Sequence, residues 1–324
     1  MKKKIISIVI LTIGVMLGYG NYMQAQNHTY PNDLKLTTHN VYFMPRALYP
    51  NWGQVQRAQL IPKADYMQNQ DVVILNELFD ETASQELRNQ LKEQYPYQTP
   101  TVGKDQSEAW HQTSGNYVSA RFTSGGVGLV SKWPIERQEQ HIYTTKGCGA
   151  DALANKGFAY IKINKNGHPY HIIGTHLQAE DSTCSKGKDK EVRANQMKEI
   201  QQFIKEKQIP ENEAVFIGGD LNVIKGTEEY QAMFQNLNAA QPTSYQGVQY
   251  SWDTSTNGIA NYNYPKLSPQ HLDYILPEKN HAQPDTWNQK VHQEKSPKWT
   301  VKSWGKTYEY NDYSDHYPVS ASSD

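Results

Sequence analysis

Four apolar runs in this chain stop abruptly on a carboxylate, an amide or a histidine, and that repeated ending constrains the fold more than any other feature. The sharpest is Val215-Phe216-Ile217-Gly218-Gly219-Asp220-Leu221-Asn222. A run of this length reads as a buried strand, and the polar residues straight after it reach the rim of a sheet. The two glycines let the backbone turn and approach a neighbour closely. If the chain stays extended, Asp220 and Asn222 share one side. The same ending recurs after Leu34 to Val41, which carries Asn40, after Val72 to Leu75, which leads into Asn76 and Glu77, and in Pro169 to His176. Ser314-Asp315-His316-Tyr317-Pro318-Val319 completes the set. Any one ending has a structural explanation, such as a helix cap or a histidine satisfied at a sheet edge. Together they place polar groups on one shared rim, where sites are usually built.

Helical spacing between these strands predicts helices over 57–68 (despite Pro62), 81–95 and 188–207. Asn164-Lys165-Asn166-Gly167 joins two alternating segments as a hairpin. Further strands are expected at 125–131, 272–276 and 299–310. Strands outnumber helices, and the helices read as few and long. An α+β fold with two sheets face to face and helices outside them, a four-layer α/β/β/α sandwich, would bury this pattern.

Lys2, Lys3 and Lys4 precede a greasy run from Ile5 to Leu17 that is short for a bilayer span. Residues 1–25 therefore read as a secretory signal peptide rather than a membrane anchor, and 26–324 as a single secreted domain. Losing that leader removes three lysines and no acids, so the net charge of −1 becomes −4. A mildly acidic exported chain is not built to be steered towards DNA. Two cysteines, Cys148 and Cys184, are most simply a disulfide in an oxidising compartment, with free buried thiols as the alternative.

The candidate site holds carboxylates, amides and two histidines, with no nucleophile elbow and no phosphate-cradling glycine loop. Hard oxygen donors select Mg2+, Mn2+ or Ca2+ over zinc. A histidine beside a carboxylate suits a general base, and a second imidazole with an amide suits charge developing on phosphate. Metal-assisted phosphodiester hydrolysis is the chemistry this set predicts.

Asn40, Glu77, Gly174-Thr175-His176, Gly219-Asp220-Leu221-Asn222, Leu272-Asp273-Tyr274 and Ser314-Asp315-His316 resemble the motifs of the deoxyribonuclease-I-like phosphodiesterases. The stretches 131–135, 148–158 and 312–319 resemble, more narrowly, the secreted bacterial sphingomyelinases C of the staphylococcal beta-toxin and Bacillus type. The resemblance runs in order over essentially the whole expected mature chain, and the cysteine pair falls where that family has its disulfide. It implies hydrolysis of membrane sphingomyelin to ceramide and phosphocholine by a haemolytic secreted protein with no obligate protein partner. It further implies one central Mg2+, with Mn2+ or Co2+ able to substitute, on Glu77, with Asn40 in or next to its shell and Asp315 supporting the metal side. His316 would take a proton from water, Asp273 would orient it, and Asp220 would belong to the same centre. Asn222 and His176 would hold phosphate oxygens. Asp151, Asp181 and Asp253 would have supporting roles.

Two departures from that family matter. Glu81 and Thr123-Ser124 stand where relatives often carry ligands for a second, edge metal, so one metal is expected. Trp304 stands alone before Gly305 where some relatives expose two adjacent aromatics, so weaker membrane engagement is expected from it. A nuclease or polyphosphate phosphatase on the same scaffold, and a non-enzymatic adhesin or toxin subunit, are the rival readings.

Overall fold

The computed structural model describes residues 29–324, so the expected leader lies outside the described residues. Its core follows from period-two alternation in the central strands. In Val72–Leu78, Val72 and Ile74 face one way while Val73 and Leu75 face the other; in Ala214–Asp220, Ala214 and Phe216 oppose Val215 and Ile217. Each strand is thus apolar on both faces and must be covered twice. The inward faces of the two sheets meet in one cluster containing Val72, Ile74, Leu129, Ile161, Ile172, Phe216 and Ile275. Burying each such side chain contributes about 1.5–3 kcal/mol relative to exposure.

The outer faces are closed by helices. Gln54–Leu60 and Glu81–Leu91 bring Ala58, Ala83, Leu87 and Leu91 onto Val73 and Leu75. Lys188–Lys207 and Glu228–Asn236 bring Met197, Ile200, Phe203, Met233 and Phe234 onto Val215 and Ile217. The result is the expected α/β/β/α layering. The first sheet has seven strands with Leu36–Phe43 and Val72–Leu78 parallel near its middle; the second has six, with His168–His176 and Ala214–Asp220 parallel. These four central strands run to the same rim.

The expected helix over 188–207 and the hairpin turn at 164–167 are present. The expected helix over 57–68 is not one element: an α-helix over Gln54–Leu60 is followed by 3-10 turns at Ile61–Lys63 and Asp65–Met67. Pro62 has no N–H to continue the α-helical ladder, and Ala64 is extended. Nor are the helices uniformly long, since among the described residues only Lys188–Lys207 reaches 20 residues. The strand expected from 125 begins at Gly128. Among the described residues no helix is long and apolar enough to cross a membrane.

Candidate functional site

Irregular backbone at the strand ends aims the polar side chains. Asn40 pairs with Asn76 in register, after which the ladder bulges and resumes at Phe43 opposite Leu78. Tyr42 and Glu77 both take left-handed conformations there, with φ of 50° and 62°. A non-glycine residue held in that region is uncommon and clusters at functional sites. Behind the bulge, Asn76 stitches the sheets together: its Nδ2 donates to the Thr175 carbonyl at 3.0 Å and its Oδ1 accepts from the Asp220 N–H at 3.0 Å. Gly219 has φ 140°, and a Cβ there would lie 1.8 Å from the Thr175 carbonyl oxygen. The close approach read from the Gly-Gly pair is therefore contact with the neighbouring strand.

Asp220 is the centre of the cluster. Its Oδ2 accepts from Asn40 Nδ2 at 3.1 Å and lies 3.5 Å from His176 Nε2 and 3.6 Å from His316 Nε2. Asn40 Nδ2 also donates to Glu77 Oε1 at 2.8 Å, and His176 Nε2 is 4.0 Å from that oxygen. His316 Nδ1 meets Asp273 Oδ2 at 2.8 Å, which leaves Nε2 on the side of Asp220. Glu77, His176 and Asp220 form one group with ligand atoms within 4.8 Å of each other; Asp220, Asp273 and His316 form another. Asp315 stands outside both groups but close enough for its charge to act on Glu77.

Asn222 arrives differently from the extended arrangement expected. The chain turns after Asp220, Asn222 takes φ 52°, and its backbone N–H donates to Asp220 Oδ1 at 3.0 Å. Asparagine tolerates this conformation because its short polar side chain bonds locally. Here Nδ2 donates to the Leu177 carbonyl at 3.0 Å.

The electrostatics of this cluster call for a cation. Burial, reinforced by the Asp315 charge, pushes the Glu77 carboxyl up to about 8, and its Oε2 is buried without a hydrogen-bond partner. Burial likewise raises Asp315. The His176 imidazole is lowered to about 3, chiefly by burial and then by the nearby Lys156, so it is neutral. Burial acts to lower His316 as well, but Asp273, Asp220 and Asp315 together hold it well above its ordinary value. An orphaned carboxylate oxygen among repelling acids, with an amide beside it, fits a hard divalent ion.

Several supports were not legible in the sequence. The buried Arg57 guanidinium donates to the carbonyls of Val41 at 2.5 Å, Tyr42 at 2.7 Å, Trp52 at 2.8 Å and Tyr313 at 3.1 Å, clamping the bulged strand to the segment before His316. Ser314 Oγ donates to the Asn40 carbonyl at 2.5 Å. His39, undecided from sequence, bonds the His316 carbonyl through Nε2 at 3.1 Å and the Tyr66 hydroxyl through Nδ1 at 3.0 Å. No local pattern could have singled out Arg57 or His39, because the Tyr313 carbonyl that Arg57 holds and the His316 carbonyl that His39 holds lie far away in sequence. Asp151 pairs with buried Lys156 at 2.8 Å and accepts from Ala179 N–H; Asp181 accepts from Ala150 and Thr183 N–H; Asp253 accepts from Ser255 N–H. All three brace loops. Cys148 and Cys184 form a disulfide that joins two of those loops.

At the edge of the molecule, Glu81 lines a cavity of about 240 Å³ with Thr123 and Ser124, and Lys104 Nζ meets its carboxylate at 2.6 Å. An ammonium group thus sits on the acid there. Strands Trp299–Ser303 and Lys306–Tyr310 form a separate hairpin, with Trp304 at its tip at φ 51° and 62% exposed.

These features define a metal-assisted phosphoesterase class, and residues 38–316 match the endonuclease/exonuclease/phosphatase family. Similar proteins narrow the class. A sphingomyelinase C from Listeria ivanovii is 54% identical over 301 residues, covering 93% of this chain and 89% of that protein. One from Bacillus cereus is 53% identical over 322 residues, covering 96% of each chain. A crystal structure of Staphylococcus aureus beta toxin, a double mutant with bound magnesium ions, superposes with a TM-score of 0.88 at 51% identity, covering 90% of this chain and all of that one. The chain belongs to the sphingomyelinase C family.

Proposed function

We propose that the chain is a secreted Mg2+-dependent phosphodiesterase that cleaves sphingomyelin in host membranes to ceramide and phosphocholine, with haemolytic consequences. The observation that carries the chemistry is the meeting at Asp220 of two groups, one with Glu77, whose Oε2 has no hydrogen-bond partner, and one with a histidine fixed by Asp273. The relatives named sphingomyelinase C support the substrate. In this reading residues 1–25 are a leader removed on export and 26–324 work as one unit.

Glu77 and Asn40 would hold the ion, with Asp315 adding negative potential at Glu77, and Mn2+ or Co2+ would substitute for Mg2+. When bound, the ion polarises the phosphate and offsets charge on the leaving oxygen. Asp273 keeps the His316 proton on Nδ1, so Nε2 is free to take a proton from the attacking water. Neutral His176 and the second hydrogen of the Asn222 amide donate to phosphate oxygens as their charge grows. Asp220 ties both imidazoles to one carboxylate and fixes their spacing.

Mixed vesicles of sphingomyelin and phosphatidylcholine, with and without EDTA, test this directly. Phosphocholine and ceramide are expected only when the divalent ion is available, and plasmid DNA is expected to survive the same conditions. Nicked plasmid with intact lipid favours the nuclease alternative, and no turnover of either favours a binding protein. The exposed indole of Trp304 meets the bilayer interface in this reading. Trp304→Ala is expected to weaken binding to sphingomyelin vesicles roughly 10-fold, the loss of about 1.4 kcal/mol of apolar contact. Unchanged co-sedimentation with the vesicles would exclude that role.

A further inference from the structure

We infer that the loop formed by residues 262–267 is a second membrane-contacting element, which together with the Trp304 hairpin seats the mouth of the site on a choline-lipid surface. The inference rests on the function proposed above. Three large apolar side chains lie exposed within six residues: Tyr262 at 51%, Tyr264 at 52% and Leu267 at 50%. Singly such residues need no explanation, but a contiguous group marks a contact surface.

The backbone beneath them is pinned, so their exposure does not reflect a loose segment. Asn257 caps the helix Gly258–Asn263 by accepting from Ile259 and Ala260 N–H, and its Nδ2 donates to the Ser314 carbonyl at 2.7 Å. Thr254 Oγ1 donates to the Leu267 carbonyl at 2.6 Å, and Tyr264 packs on the buried Trp252 with ring centroids 5.7 Å apart. Between Tyr262 and Tyr264, Asn263 Nδ2 donates to the Tyr42 hydroxyl at 3.1 Å, and the Tyr42 N–H donates to Asn40 Oδ1 at 3.0 Å. The loop therefore stands two hydrogen bonds from the candidate metal centre.

It is also continuous with the hairpin. Tyr262 meets Tyr308 edge-on at 5.9 Å, and Tyr308 meets Trp304 at 6.3 Å. Charge selects the kind of lipid. Tyr264 and Leu267 line a cavity of about 580 Å³ whose other walls include Glu180, Asp181 and Asp189. Carboxylates next to an aromatic ring complement the trimethylammonium heads of the bilayer lipids surrounding the site and disfavour an anionic surface.

The test uses the full mature chain. In EDTA, where lipid is not consumed, partition onto sphingomyelin/phosphatidylcholine vesicles is measured for the wild type and for Tyr262→Ser/Leu267→Ser. With Mg2+, hydrolysis of a water-soluble chromogenic phosphocholine ester is measured for both. The double variant is expected to lose roughly tenfold or more in partition while keeping its melting temperature and its rate on the soluble ester. Tyr262→Phe/Leu267→Met is expected to bind as the wild type does. Wild-type partition by the serine variant overturns the inference. So does a parallel loss on the soluble ester, which would make the loop a prop for the site. Loop-dependent vesicle binding by a wild type that hydrolyses no sphingomyelin supports the loop while removing the proposed activity.

Discussion

His316→Ala is expected to lower turnover of sphingomyelin roughly 10³-fold, within the range general acid–base catalysis contributes, while leaving Mg2+ binding and folding intact. The ring lies against Asp273 at 2.8 Å with its other nitrogen towards Asp220, and neither contact carries a strand. Proton acceptance requires neutral Nε2, so the rate must rise with pH through the His316 pKa. Burial pulls that pKa down, but Asp273, Asp220 and Asp315 hold it well above its ordinary value in the metal-free site. A bound cation offsets part of that field and brings the base towards neutrality. Asp273→Asn removes one of the groups that raise it, so the acid limb of the rate profile is expected to move to lower pH. The maximum rate should fall as well, because the ring loses its orienting partner. A profile that keeps its midpoint in Asp273→Asn removes Asp273 as the group that tunes His316.

The sequence disclosed what short-range rules control. Apolar runs ending on Glu77, His176 and Asp220 were visible because strand geometry forces alternation and because a polar side chain inside the sandwich needs a partner. Gly218-Gly219 announced a close approach, and the structure names its target, the Thr175 carbonyl. What stayed hidden depends on distant partners. Arg57 looks like one more residue of an amphipathic helix, yet it is buried and bonds the Tyr313 carbonyl 256 residues away. The Glu77 and Tyr42 kinks could not be foreseen either, because neither residue type favours a positive φ; only the paired bulge holds them there. The Asp220–Asn222 relation was expected on one extended face and is instead a turn, since the side-chain oxygen of Asp220 competes for the Asn222 N–H. The expectation of one metal rests on the residue types at Glu81, Thr123 and Ser124. In the structure Glu81 pairs with Lys104.

Glu77→Gln is expected to abolish both the activity and the single Mg2+ binding event seen in equilibrium titration, and to stabilise the metal-free protein above neutral pH. Both effects come from one buried charge. In the wild type, burial and Asp315 raise the Glu77 carboxyl from an ordinary 4.5 to about 8. A carboxyl whose folded pKa lies above its unfolded one binds more protons when folded. Its contribution is therefore full below 4.5 and declines as pH rises through about 8, at about 1.4 kcal/mol per pH unit across that window. Metal-free wild type should accordingly lose melting temperature between pH 5 and about 8, while Glu77→Gln should remain flatter over the same range. Saturating Mg2+ should restore the wild type and leave Glu77→Gln unmoved, because binding to the folded state alone stabilises it. A second tight Mg2+ in the wild-type titration would instead place an ion elsewhere, with Glu81 and its Lys104 partner the first place to look. An unchanged single event in Glu77→Gln would remove this carboxylate from the metal centre.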